Sequence, residues 1–361
     1  MVEIKKSDFF KRQTTVSEFG EQGQQKLQDT KVLVVGSGGL GSMIAVCLAA
    51  SGVGKLHLVD YDRVDVTNLH RQVFYGLKDV GHYKSEILAK YLQQRSPFTT
   101  GSFSTEPITK KNAIELINSC DLIVDATDNL PTKYLLNDAC VLQGKPLIYG
   151  SLYKFDGYLS TFNLLQEDGT YSANLRDVFP EMSTSIPNCE QVGTLNPIVG
   201  MIANGQVNEV LKIAAQIGKP LVNELLIYNA LSNAQLKVKI APKIKKSTIA
   251  SIYNRQPYFD ASCGVQHSDW LITSKALQNK LGDATLEIIA VLPNLETPFK
   301  VQQTLPIQEF NLHTFKFDLN RVYVIVCQTG VTSYRVTKQL REKHPALNVL
   351  SLKGGISSYH E

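Results

Sequence analysis

The sequence predicts two α/β domains in series: an open, doubly wound sheet whose parallel strands are extended by antiparallel ones, then a smaller α/β domain. Three observations carry that reading. The Val-rich run 31–35 stops at Gly36-Ser37-Gly38-Gly39-Leu40-Gly41 and leads into an apolar helical stretch over 42–51. A second strand over 55–59 ends at Asp60. This completes a strand-helix-strand unit of about 30 residues, whose right-handed crossover makes the two strands parallel. After residue 150 the pattern changes to short strands set off by turns, at 157–162, 225–228 and 235–240.

The remaining elements follow in order. Buried strands are expected at 122–125 and 146–149, with helices around 84–94 and 133–142 between and after them. Apolar residues at helical spacing (Ile198, Ile202, Val210, Ala214, Ile217) predict a mostly buried helix over 198–217, ended by Gly218-Lys219-Pro220. The lysine-rich stretch 237–246 is interrupted by Pro242 and marks the domain junction. The expected division is a first domain over 1–242, a linker over 243–254 and a second domain over 255–361.

Size and composition fit two globular domains: 361 residues, 43% hydrophobic and 19% charged. A net charge of +4 with scattered basic residues argues against nucleic acid or a membrane surface as partner. The N-terminus lacks the apolar core of a secretory signal, and no run reaches membrane-spanning length. Six cysteines, at 47, 120, 140, 189, 263 and 327, form no C-x-x-C pair, so free thiols in the cytoplasm and no zinc are expected.

In G-x-G-x-x-G the glycines let the backbone turn sharply and approach a phosphate, met by free N–H groups and the positive end of the following helix. Gly36, Gly38 and Gly41 occupy those positions, and Asp60, about 20 residues on at the end of the next strand, is placed to accept from ribose hydroxyls. An adenosine-containing ligand follows, either a dinucleotide or ATP. A triphosphate needs cations where charge moves during transfer, and Arg71 and Lys84 meet that need. Asp128, just beyond the strand ending at Asp125, stands at the carboxyl edge of the sheet and is a candidate magnesium ligand. These residues argue against the alternative of a dinucleotide-dependent oxidoreductase.

The chain resembles the MoeB/ThiF (HesA) family of sulfur-carrier adenylyltransferases, relatives of ubiquitin-activating enzymes, over about residues 5–240. The matching motifs are Arg12-Gln13, Gly36 through Gly41, Asp60-x-Asp62, Asn68-Leu69-His70-Arg71-Gln72, Gly81-x-x-Lys84 and Asp125-Ala126-Thr127-Asp128-Asn129. The resemblance implies ATP held by Gly39, Asp60, Asn68, Arg71 and Lys84, with Asp62, Gln72 and Asn129 in the same motifs. It also implies magnesium on Asp128 and Arg12 reaching the phosphates from the other subunit of a homodimer. The implied reaction adenylates the C-terminal Gly-Gly carboxylate of a ubiquitin-like sulfur carrier in molybdopterin or thiamine biosynthesis. Retention of the ATP residues sets aside a non-catalytic carrier-binding scaffold.

Family members often carry two C-x-x-C pairs for zinc, and this sequence has none. Cys189 lies in Pro187-Asn188-Cys189-Glu190-Gln191-Val192-Gly193, matching the loop where the family places a cysteine that bonds to the carrier. The C-terminal part, with Arg321 through Ser333, a following helix, the run 347–352 and Lys353-Gly354-Gly355, resembles a rhodanese-like domain. Cys327, between a strand and a helix N-terminus, is then a candidate to carry sulfur from a cysteine desulfurase or another donor. In place of that fold's Asp-Val-Arg type segment stands Ile289-Ala290-Val291-Leu292-Pro293, and no arginine follows Cys327 in its loop.

Overall fold

The computed structural model describes residues 4–182, 193–256, 258, 268–292, 295–305, 318–328 and 330–359, and divides into two compact units, 1–258 and 259–361. In the first, β1 (Lys31–Val35), β2 (Lys55–Val59), β3 (Thr100–Ser104), β4 (Leu122–Asp125), β5 (Leu147–Tyr153), β6 (Asp156–Phe162), β7 (Glu224–Asn229) and β8 (Ala234–Lys239) form one sheet. Their order is β3-β2-β1-β4-β5-β6-β7-β8. Strands β1 to β5 are mutually parallel and β6 to β8 antiparallel. The order reverses between β1 and β4, so a crevice opens at their carboxyl ends, where sheets of this type take their ligands.

Each face of the sheet is covered by helix. On one side, Gly39–Ser51 packs against the long helix Asn196–Ala215, and Ile44, Leu48, Ile198 and Val210 are almost wholly buried with Val32, Val34 and Leu58 of the strands. On the other, Ile117 and Leu135, Leu136 and Ala139 of helix Leu130–Gln143 cover Leu33, Ile123 and Leu147. Alternate residues of β1 thus enter opposite cores, as the two-residue strand period requires.

The segment expected as a linker over 243–254 is largely helix, Lys246–Arg255. Its Ile249 and Tyr253, one turn apart, are both buried, and Tyr253 joins the core that includes helix Leu130–Gln143. Lys243, Lys245 and Lys246 just ahead of them mask an amphipathic helix, and the unit boundary falls after Tyr258. There the Tyr258 hydroxyl donates to Asp138, which also pairs with Arg176 at 2.7 Å, both acid and base being almost fully buried. Gln256 accepts from the same guanidinium at 2.9 Å.

The second unit is a parallel sheet of β9 (Leu271–Ile272), β10 (Leu286–Ala290), β11 (Gln303–Thr304), β12 (Val322–Val326) and β13 (Asn348–Leu352), in the order β11-β10-β12-β13-β9. Cys327 follows the central strand β12, and helix Val331–Lys343 follows Cys327 after a short loop. The small α/β domain is therefore present. Among the described residues no helix is long and apolar enough to cross a membrane.

Removing one member of a buried pair strands the other charge, which costs about 3–5 kcal/mol. Arg176→Met should lower the unfolding free energy of the first unit by about that amount, measured by urea denaturation of the full chain.

Candidate functional site

The loop after β1 is held by close approaches that only glycine allows. Gly36 has φ +94°, and a Cβ there would lie 2.6 Å from the Ala126 carbonyl oxygen. At Gly41 a Cβ would lie 1.8 Å from the Gly36 carbonyl oxygen, and at Gly39, 2.8 Å from Val199 Cγ1. Gly38 meets only Gln72 Nε2, at 3.5 Å. The N-terminus of helix Gly39–Ser51 therefore opens into the crevice, with no side chain capping it.

Asp60 locks this loop to β2. One carboxylate oxygen accepts from the Ser37 N–H at 2.6 Å and the other from the Asp62 N–H at 2.8 Å, leaving a lone pair on each for a further donor. Burial pushes the Asp60 carboxyl up to about 6, the nearby Lys84 ammonium opposes that rise and Asp62 adds to it. Lys84, at the start of helix Lys84–Arg95, is 6% exposed and pairs with Asp62 at 3.0 Å. Its neighbour Ser85 donates to the Asp60 carbonyl at 2.9 Å.

The segment 68–72 closes the near side. The Asp65 carboxylate accepts from the Thr67 N–H and hydroxyl, which starts a short turn of 3-10 helix, Val66–Asn68. Arg71, half-buried, places its guanidinium 2.8 Å from His70 Nε2 and 3.3 Å from the Thr67 carbonyl. Gln72 is 3% exposed, and among the described residues its Oε1 is buried with no partner, as is the hydroxyl of fully buried Ser37. Two orphaned polar atoms beside a glycine loop are what a polar ligand would satisfy.

Beyond β4, Asp125 receives the Thr127 N–H and hydroxyl at 3.0 and 2.7 Å and pairs with Lys133 at 3.1 Å, shaping the turn that presents Asp128. Asp128 is exposed and bonds to nothing among the described residues. Asn129 caps helix Leu130–Gln143 by accepting from the Thr132 N–H at 2.9 Å, so its carbonyl oxygen already has a structural task.

Two of the expected residues stand apart from this site. Arg12 is exposed, and its neighbour Gln13 donates to the Ser51 carbonyl at 2.8 Å. Ser51 ends the 13-residue helix that begins at Gly39, so Arg12 stands by the end roughly 18 Å from its own glycine loop. Cys327 belongs to the second unit. Cys189 lies outside the described residues. Among those residues no cluster of three or more His, Cys, Asp or Glu is arranged to hold a metal.

Sequence reasoning passed over Tyr75 and Lys133. The Tyr75 hydroxyl donates to the Ser37 carbonyl at 2.6 Å, and burial, with Asp60 and Asp79 nearby, raises its pKa well above the ordinary value. Lys133 also donates to the Gly150 carbonyl at 2.8 Å. Its signal was a lysine inside an apolar helix, where a charge stays only if paired.

A profile of the ThiF family matches residues 10–249, the stretch that carries the whole of this site. The chain belongs to the ThiF family. One relative, the Sulfur carrier protein adenylyltransferase of Thermus thermophilus, is 37% identical over 263 residues, 72% of this chain and 97% of the relative. Another relative spans nearly the whole chain: Adenylyltransferase and sulfurtransferase MOCS3 of Caenorhabditis briggsae is 32% identical over 390 residues, 99% of this chain and 95% of the relative. MoeZ of Mycobacterium tuberculosis, a probable adenylyltransferase/sulfurtransferase, is 32% identical over 365 residues, 97% and 92% of the two chains. Among solved structures, E. coli MccB shares the fold at 20% identity, with a TM-score of 0.59 over 67% of this chain and 74% of that one.

Below pH of about 6 Asp60 is protonated and loses the charge that its hydrogen bonds exploit. ATP affinity should therefore weaken as pH falls through about 6. Lys84→Met removes the cation that holds the Asp60 pKa down, so the acid limb should move to higher pH in that variant. Calorimetric titration of ATP between about pH 5 and 8 checks both expectations.

Proposed function

We propose that this chain adenylates the C-terminal glycine carboxylate of a ubiquitin-like sulfur carrier ending in Gly-Gly, as a cytoplasmic homodimer in molybdopterin or thiamine biosynthesis. The observation that carries the proposal is the glycine loop locked by Asp60 with Arg71 and Lys84 on its flank. The loop supplies N–H donors for phosphate, Asp60 supplies acceptors for ribose, and the cations suit charge on the triphosphate. The names of the relatives support the same reading.

In the reaction a carrier carboxylate oxygen attacks the α-phosphorus of ATP, a new P–O bond forms, and the bond to the bridging oxygen breaks to release pyrophosphate. No general base is needed, because a carboxylate is already ionised at pH 7. The protein's work is positioning and charge neutralisation. Exposed Asp128, with its carboxylate free of partners among the described residues, fits a hard cation that prefers oxygen ligands. Magnesium there would neutralise charge on the phosphate oxygens. Arg12, far from its own loop, is assigned to the site of the partner subunit.

Sulfur delivery is assigned to Cys327. Its thiolate would attack the outer sulfur of a donor persulfide such as that of a cysteine desulfurase; the donor's S–S bond breaks, and the donor leaves as a thiolate.

Carrier-dependent exchange of labelled pyrophosphate into ATP tests the adenylation step, with both molybdopterin-type and thiamine-type carriers supplied. Exchange with neither carrier sinks the proposal. Asp128→Ala should reduce exchange by about 100-fold or more. Arg12→Ala and Arg71→Ala homodimers should each be inactive, yet mixing them with subunit exchange should restore roughly a quarter of the activity, since half the dimers regain one intact site. No recovery on mixing would place Arg12 elsewhere.

A further inference from the structure

Buried hydroxyls in the second unit converge on Cys327. Ser333, in the first turn of helix Val331–Lys343, and Ser351, on β13, are both fully buried. The Ser351 hydroxyl donates to Ser333 Oγ at 2.9 Å. Ser333 Oγ lies 3.3 Å from Cys327 Sγ and 3.1 Å from the Gly330 carbonyl, and the Ser333 N–H donates to the same sulfur at 3.3 Å. Cys327, 1% exposed, therefore has its sulfur against both the N–H and the hydroxyl of one residue, and that hydroxyl accepts from a second serine.

A hydroxyl has one proton and two lone pairs, which makes the arrangement two-state. The Ser351 proton occupies one lone pair of Ser333. While Cys327 is a thiol, its S–H can donate to the other, and the Ser333 proton goes to the Gly330 carbonyl. When Cys327 loses its proton, Ser333 can turn its own proton to the sulfur, because a charged acceptor makes the stronger bond. Gly330 is not stranded by the change, since its carbonyl also accepts from the Tyr334 N–H at 3.1 Å. The charge of the thiolate is then met by an O–H and an N–H.

Charged and titratable groups on the surrounding elements are engaged elsewhere or face outward. On β10, Glu287 bonds to Gln303 and Arg321. It pairs in register with Tyr323 at the far end of β12, and the Tyr323 hydroxyl accepts from the Asp318 N–H. On the helix, Tyr334 is buried, Arg335 is exposed, Lys338 approaches Glu342 at 3.9 Å, and Arg341 donates to the Val349 carbonyl. Lys343 at the helix end is exposed, as is Lys353 after β13, a strand with no charged residue. Among the described residues no charged side chain bonds to Sγ.

We propose that Ser333 is the positioning residue that sets the ionisation of Cys327, in the place where a cation would otherwise stand, and that Ser351 aims it. The inference rests on the sulfur-carrying role proposed above for Cys327. The test is alkylation of the full chain by iodoacetamide from about pH 5 to about 10, read by mass spectrometry on the Cys327 peptide, with thermal unfolding of each variant recorded alongside. Ser333→Ala should raise the midpoint of the alkylation profile by about one pH unit, and Ser351→Ala should raise it by less. A purely structural role would lower the unfolding temperature and leave the midpoint in place. An unmoved midpoint in both variants overturns the proposal, as does a Cys327 that resists alkylation at every pH. If Ser333→Ala does not fold, Ser351→Ala carries the decision. Because alkylation needs neither carrier nor donor, a normal shift in a protein that never acquires a persulfide would defeat the sulfur role alone.

Discussion

Between β1 and the helix that follows it, the chain turns so tightly that the Gly41 Cα packs on the Gly36 carbonyl oxygen. A Cβ at 41 would lie 1.8 Å from that oxygen, far inside van der Waals contact. The rest of the site inherits its geometry from this contact. It keeps the helix N-terminus against β1, so unpaired N–H groups face the crevice. It also sets the Ser37 N–H where Asp60 can hold it and the Ser37 carbonyl where Tyr75 can reach it. Gly36 in turn lies against the Ala126 carbonyl, which brings the turn carrying Asp128 to the same edge.

The parts of this arrangement legible in the sequence are those with local spacing. Strand, glycine loop, helix and terminal acid lie within one strand-helix-strand unit, and β1 and β2 announce themselves as apolar runs because both faces of the sheet are buried there. The parts that escaped notice join positions with no shared period. Tyr75 meets Ser37, and Gln206 donates to the Asp125 carbonyl at 2.7 Å, from distant points of the chain. The helix Lys246–Arg255 was hidden for a compositional reason, since Lys243, Lys245 and Lys246 at its start drew attention from the short Ile249 and Tyr253 stripe. Arg12 was recognisable as a motif, and the fold sets it beside Ser51, at the far end of the helix from its own loop.

The two units divide hard and soft chemistry. Phosphate oxygens call for N–H groups and cations, and the first unit collects these at one sheet edge. Sulfur calls for a thiolate held by weaker donors, and the second unit provides a cysteine between strand and helix. Burial alone does not make a cysteine useful. Cys140 is equally enclosed, but burial pushes its thiol well up, as an apolar site should. Cys327 differs in geometry: the Ser333 N–H donates to its sulfur, and the Ser333 hydroxyl lies 3.3 Å from it.

The central claim is that the locked glycine loop serves carboxylate activation, and its product can be weighed. Intact-mass spectrometry of a Gly-Gly-ending carrier, incubated with the chain, ATP, magnesium and pyrophosphatase, should show the addition of one adenylate. Fragmentation should place it on the terminal glycine. A carrier of unchanged mass, or an adenylate on any other residue, would contradict the account.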